Sequence, residues 1–518
     1  MEARRICARI IGRAMRLRNL ILVLGDQLDG NSAAFDGFDP GRDAVAMQEV
    51  REEATYIRQH KLRLVLFFSA MRHFRADLMA KGIKVYYRSI DDPDNNHTFA
   101  DELAERVGSL DPHKVIVLEP GDYRVRHSLV ETCRKLGVKL EIRQDRHFFC
   151  HTDEFASLAR GKHLILENFY RQMRQKHGIL MAGGKPASNQ WNFDKENRRP
   201  MTAASKKALV DPLLFAPDAI TAEVMKTVDE LFADSPGSSK YFDYPVTRAD
   251  ALKALDDFVE NRLPNFGAFQ DAMTVGEPYI YHSRLSSALN LHLLHPRETI
   301  DAAIQAYERG HAPLNSVEGF VRQVLGWREY VRGIYWTHMP GYEDLNELQA
   351  ELPLPGFFWT GETDMNCFRQ AAQGMVDHAY AHHIHRLMIF GLFSLLLGAN
   401  PRQFHRWHMS MFVDAIDWVS LPNALGMSQY GDGGIMGTKP YCASGNYINK
   451  MSDYCKGCRY KPASCPFTVL YYDFLERHQE RFEHNPRMLF QIQNLRRQDQ
   501  GTLKEFRRKA DAIRGALA

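Results

Sequence analysis

The chain has 518 residues, 45% hydrophobic and 25% charged, with a net charge of +3. This is the composition of a folded globular protein of two or more domains, not of a disordered or uniformly basic chain. Eight cysteines over this length exclude a disulfide scaffold and fit a reducing compartment, the cytoplasm.

Residues 1–18 carry six arginines (Arg4, Arg5, Arg9, Arg13, Arg16, Arg18) against one acid, Glu2. They lack the apolar core of a signal peptide and read as a basic extension. The folded chain is expected from Leu20. Residues 19–150 alternate strand and helix patterns. Asn19–Leu24, Asp43–Met47, Leu62–Phe68, Lys84–Tyr87 and Lys114–Leu118 are short apolar runs, and 49–61 reads as a helix. Such alternation predicts a Rossmann-like α/β domain with a parallel sheet. No G-x-G-x-x-G is present, so a standard dinucleotide site is not expected. Ligands of these sheets sit beyond the carboxyl ends of strands, which makes Gly25, Asp26 and Gln27 candidate contacts.

Residues 151–240 read as a connector over the surface, with Gly183-Gly184 and the Asp234–Ser239 turn cluster. Residues 241–518 change character. Apolar residues recur at helical spacing, so this domain is expected to be nearly all α-helical, and it holds five of the six tryptophans. The longest apolar run, Leu387–Ala399, has about 13 residues where a bilayer needs roughly 20, and reads as a buried core helix. No membrane association is expected.

Several groups in this half carry chemistry. Tyr281–Ser287 gathers hydroxyls and Arg284 at a helix start, an arrangement that binds phosphate and also occurs as ordinary capping. Glu318–Tyr330 is an amphipathic helix with Arg322, Gln323 and Arg328 among aromatics. Read as one helix, His378 and His382 share a face that Arg386 extends. Histidines suit proton transfer near neutral pH. Asp414 and Asp417 are both available to neutralise Arg386, and Asn423 follows in a loop. Cys455-Lys456-Gly457-Cys458, with Cys465 next to Pro466, has the spacing of a zinc or iron–sulfur site. A fourth thiolate is supplied by Cys442 or by Cys367.

Taken together these residues resemble the photolyase/cryptochrome family. Its flavin-domain motifs are matched by Leu263–Gly267, Arg284-Leu285-Ser286, Arg322–Glu329 and Asp417 with Asn423. Tyr380–His383, Trp418–Asn423 with Met427-Ser428-Gln429, and the cysteines narrow the likeness to its iron–sulfur bacterial group, the prokaryotic (6-4) photolyases. The resemblance implies a 4Fe-4S cluster on Cys367, Cys455, Cys458 and Cys465. It implies FAD in the helical domain, with Ser283, Leu285, Ser286, Gln323 and Arg328 at the phosphates and ribityl chain. Arg386 paired with Asp417, and Asn423, would lie at the ring system. His382 and His383 match the catalytic histidine pair, with Met427 and Tyr441 on the lesion side. Trp407 and then Trp359 would carry electrons to the flavin, with His408 where relatives can carry Tyr. The 19–150 domain would hold an antenna chromophore, 6,7-dimethyl-8-ribityllumazine, at Gly25, Asp26, Glu53, Tyr56 and Phe67.

The function implied is light-driven repair of (6-4) photoproducts in UV-damaged DNA by a monomer. Electron transfer from excited, reduced FAD would be coupled to proton donation by His382 or His383. A blue-light photoreceptor of the same fold is the alternative. A colourless nucleic-acid-binding protein with structural zinc is a third reading, and it leaves the flavin motifs unexplained.

Overall fold

The computed structural model describes residues 16–160 and 164–517. The basic extension therefore lies almost wholly outside the described residues; Arg16, at its end, pairs with Asp111.

The first domain is a five-stranded parallel sheet. Its strands are β1 (Asn19–Leu22), β2 (Asp43–Gln48), β3 (Val85–Arg88), β4 (Lys114–Leu118) and β5 (Lys139–Arg143), in the spatial order β3-β2-β1-β4-β5. Asn19 stands level with Asp43 on one side and Lys114 on the other. The central strands are near-continuous apolar runs because both faces are covered. Successive side chains alternate between faces. Leu20, Leu22, Val115 and Val117 join one core with Phe99, Leu103 and Leu129. Ile21, Val45, Met47 and Ile116 face the other, which is continuous with the core of the helical domain.

Helix α1 (Lys61–Ala80) packs on that second face; α2 (Phe99–Leu110) and α3 (Tyr123–Leu136) cover the first. Thr98 and Asp122 cap α2 and α3 through side-chain oxygens on the first free N–H groups.

Two sequence expectations are corrected here. Leu62–Phe68 is not a strand but the first half of α1, and 49–61 is not one helix, since only Arg51–Thr55 is helical. A short apolar run has no period of its own, and the helix context of α1 prevails. Conversely, β5 was not expected, because its Lys-Leu-Glu-Ile-Arg pattern is that of a charged edge strand.

The connector also departs from expectation. Its helix Leu166–His177 is partly core: Phe169, Tyr170 and Met173 are buried, and the Tyr170 hydroxyl donates to Glu318 Oε1 at 3.1 Å. The rest of the chain is helical as expected. Three of its long helices contain wide π-helical turns, at Arg322–Arg328, Arg386–Gly391 and Pro422–Ser428. No described helix is long and apolar enough to cross a membrane.

Candidate active site and cysteine centre

The three π turns surround one cavity of about 300 Å³. Each inserts an extra residue into its helix, which turns side chains that a regular helix would misalign toward a common space; such bulges are frequent at functional sites. Gln323 and Arg328 come from the first turn, Arg386 from the second, Asn423 and Met427 from the third. Ser283, Ser286, His382 and His383 complete this wall.

Asp414 organises one end. Its carboxylate pairs with Arg386 Nη1 at 3.0 Å and accepts from Ser286 Oγ at 2.6 Å, while its carbonyl accepts from Asn290 at 2.8 Å. The expected Arg386–Asp417 pair is therefore not formed. Asp417 instead accepts from the Tyr335 hydroxyl at 2.6 Å and lies 3.1 Å from His405 Nε2, away from the cavity. Leu285 also falls outside it: the side chain is buried in the apolar core.

Arg328 crosses the rings of Phe148 and Trp418 at 4.4 and 4.9 Å; its Nε and Nη1 have no hydrogen-bond partner, Nη1 lying 3.9 Å from Glu329 Oε1. Burial, and then the neighbouring Arg332, push this guanidinium down to about 10, so a ligand that accepts hydrogen bonds here relieves a real cost.

The histidines line the same cavity near Arg386. The helix Asn366–His378 ends in a left-handed Ala379, φ 49°, and helix resumes at His383, so His378 and His382 do not share a helical face. His382 is 2% exposed, and neither ring nitrogen has a partner. Burial and then the neighbouring His385, His282 and His383 hold it well below the usual histidine value. His383 is exposed into the cavity rather than on the outer surface; the surrounding protein and then Arg386 push it down to about 4.

Trp407 sits behind this wall in a cage of Phe358, Phe390, Phe404 and Phe412, donating to the Phe358 carbonyl at 3.0 Å. Phe404 lines the cavity 5.3 Å from Trp407, and Trp359, next to Phe358, is 39% exposed. His408 lines the cavity with Nδ1 2.7 Å from Ser420 Oγ. Tyr441 stands outside the cavity; a Cβ on Gly437 would lie 3.5 Å from its ring and 4.0 Å from Met427 Cα.

A second cavity, about 110 Å³, opens at the carboxyl ends of β1 and β2. Gly25, Asp26, Glu53, Tyr56 and Phe67 all line it. Sequence reasoning missed Gln48, Arg63 and Asp122 in the same wall. Arg63 Nε and Nη1 and Gln48 Nε2 are buried without partners, and burial drives Asp26 up to about 7. Ile416 closes this cavity while Asp414 and Ala415 line the other, so one strip of chain separates the two.

Cys367, Cys455, Cys458 and Cys465 converge across the loop that precedes α4 (Pro466–Arg477). Burial, then repulsion from the other three, holds the Cys367 thiol well above its usual value. Cys455 is pushed up to about 11 by burial and by Cys465 and Cys458. Cys442, pushed up to about 12 by burial alone among raising causes, is not of this group. Gly445 lacks the Cβ that would strike the Cys465 sulfur. Among the described residues no three His, Cys, Asp or Glu side chains stand close enough to grip a single ion, these included. The thiols are thus electrostatic neighbours and do not form a closed tetrahedral shell.

The chain is 46% identical over 506 residues to a (6-4) photolyase of Agrobacterium fabrum, covering 96% of this chain and 99% of that one. It belongs to the photolyase/cryptochrome family. The family model described as Deoxyribodipyrimidine photo-lyase-related protein matches residues 21–244. Among solved structures, a bacterial class III photolyase from Agrobacterium tumefaciens superposes with a TM-score of 0.56 at 14% identity, over 98% of this chain and 99% of that one. A Synechocystis cryptochrome superposes with a TM-score of 0.57 at 12% identity, over 97% and 99%. The photolyase fold implies a bound FAD, and the donor set of the large cavity fits one. Unpartnered Arg328 nitrogens and the hydroxyls of Ser283 and Ser286 suit a polar chain with phosphates, and the Arg386–Asp414 pair suits a polar ring edge.

Proposed function

We propose that this chain repairs (6-4) photoproducts in DNA under blue light. The observation that carries the reading is the presence, in one cavity, of a flavin-type donor set together with His382 and His383. The near-full-length likeness to a relative that bears the name (6-4) photolyase supports it.

Bound FAD would supply the light-driven electron. The chain does the rest. Ser283, Ser286, Gln323 and Arg328 would hold the cofactor's polar chain, and Arg386 with Asp414 and Asn423 would orient its ring. Met427 and Tyr441 stand on the lesion side. The lesion must leave the helix stack to enter; a distorted pair does so at lower cost, which contributes to selectivity.

His382 or His383 then delivers a proton to the lesion, the step for which a group with a pKa near operating pH is best suited. In the DNA-free protein both are held neutral by burial and by positive neighbours. The phosphates of bound DNA oppose that effect and raise their affinity for a proton. Trp407 and Trp359 form the reducing path from the surface.

Cys367, Cys455, Cys458 and Cys465 would hold the 4Fe-4S cluster in this reading, because four neighbouring cysteine thiols are the usual ligand set of such a cluster. An antenna in the small cavity would be a lumazine: the unpartnered Arg63 and Gln48 donors would suit a ring edge rich in carbonyl and nitrogen acceptors, with Phe67 and Tyr56 also in the lining. The free thiols fit a reducing compartment, the cytoplasm.

The test is the absorption spectrum of the purified protein, followed by (6-4)-lesion DNA with and without blue light. Flavin bands over a broad iron–sulfur shoulder, and lesion loss only in light, are expected. The same spectrum without lesion loss would favour a photoreceptor, and a colourless zinc protein would refute both.

A further inference from the structure

The line of imidazoles at the cavity wall continues into the protein. His282 lies parallel to His382, with centroids 4.3 Å apart at 7°, and His385 packs against His382 at 3.7 Å. His385 places Nε2 2.9 Å from the Tyr454 hydroxyl. Tyr454 immediately precedes Cys455, and its carbonyl accepts at 2.8 Å from Asn366, the residue before Cys367. His382, His385 and Tyr454 are 2%, 2% and 1% exposed. Together they connect the cavity wall to the cysteine loop. Nothing in the flavin site or the lesion contacts requires His385 or Tyr454.

The hydrogen bond has a direction. Among the described residues His385 Nε2 is the one hydrogen-bond partner of the buried Tyr454 hydroxyl, so the phenol's proton is donated there. His385 Nε2 must then accept, which assigns the ring proton to Nδ1. His385 is thereby fixed as a neutral ring. The charged and titratable groups facing His382 are His282, His383, His385 and Arg386; His282 and Tyr454 face His385. A second cation on His385 would add to Arg386 in opposing a proton on His382. A neutral ring would not.

We propose that Tyr454 and His385 are positioning residues for the histidine pair, holding His385 neutral against His382 so that a proton entering the histidine stack resides on His382 and passes by way of His383, which faces the cavity, to the substrate. This rests on the repair reading above. It also makes the cysteine loop a support of the proton-donating wall, since Tyr454 is anchored between Cys367 and Cys455.

Tyr454→Phe and His385→Phe test it in the holoprotein, with flavin and iron content checked first. Dark affinity for (6-4)-lesion DNA should stay within about twofold. The light-driven rate at saturating lesion should fall by about tenfold or more, a share of the roughly 10²–10⁴-fold that positioned proton transfer supplies. Its pH midpoint should move from that of the parent. A purely packing role would change stability and leave the pH profile in place. Rates and profiles equal to the parent's in Tyr454→Phe overturn the inference, even where His385→Phe fails to fold. A parent protein that repairs nothing refutes the repair reading instead. The positioning claim is then decided by ring ¹⁵N resonances in the dark: His385 as a single Nδ1–H tautomer that is lost in Tyr454→Phe supports it, and unchanged resonances overturn it.

Discussion

At the scale of single residues, the chemistry depends on which imidazole carries a proton and on which carboxylate faces Arg386. His383 faces the cavity, and His382 offers two unpartnered nitrogens behind it. His383→Ala should leave dark binding of lesion DNA nearly unchanged and lower the repair rate by about 10²-fold or more, the usual share of a positioned acid. Separate dark-binding and illuminated-turnover measurements check this; an equal loss in both would make His383 a binding group. Sequence order was a good guide to these side chains, because residue types alone limit which can donate protons or ligate metal. It failed where two equivalent types compete at short range. Asp414 and Asp417 differ only in which side of a short segment they occupy, and that is set by Tyr335 and His405 accommodating Asp417 elsewhere. Arg63 and Gln48 carry no sequence signal at all, since each reads as an ordinary helix or strand residue until the small cavity is formed.

At the scale of elements, the cavity is made by irregularity. The three π turns were invisible in the sequence, where the same stretches show normal helical periodicity; an inserted residue is a tertiary choice. Two of the turns press on each other. A Cβ on Gly391 would collide with the Ser428 hydroxyl, and the Gly391 carbonyl accepts from Gln429 at 3.0 Å. Gly391→Ala must therefore separate the turns that carry Arg386 and Asn423. The expected outcome is a loss of about 1–3 kcal/mol of stability from overpacking, together with reduced flavin retention, read by thermal unfolding and by bound flavin per chain. Full flavin occupancy with unchanged unfolding would show that this contact does not set the cavity. The same reasoning explains the helix break at Ala379, which separates His378 from the pair.

At the scale of the whole molecule, one strip of chain, Asp414 to Ile416, divides the two cavities, and a common core runs beneath both. The two-domain plan was legible because strand alternation and helical periodicity differ sharply between the halves. The buried part of the connector was not, since its burial comes from partners far along the chain. The interior also stores histidines held neutral. His60 and His292 are pushed down to about 4 by burial, from an unfolded value near 6.5. The unfolded chain binds these protons first, so stability is complete above about pH 6.5 and is lost as pH falls toward about 4. Denaturant unfolding at stepped pH should show this loss across that window; a flat profile would contradict the burial of these rings. The central claim is tested most directly by illuminating the protein with two DNA substrates, one with a (6-4) photoproduct and one with a cyclobutane dimer, each against a dark control. The account predicts that the (6-4) lesion disappears in light only, while the cyclobutane dimer persists. Loss of the cyclobutane dimer alone, or of neither lesion, would contradict it.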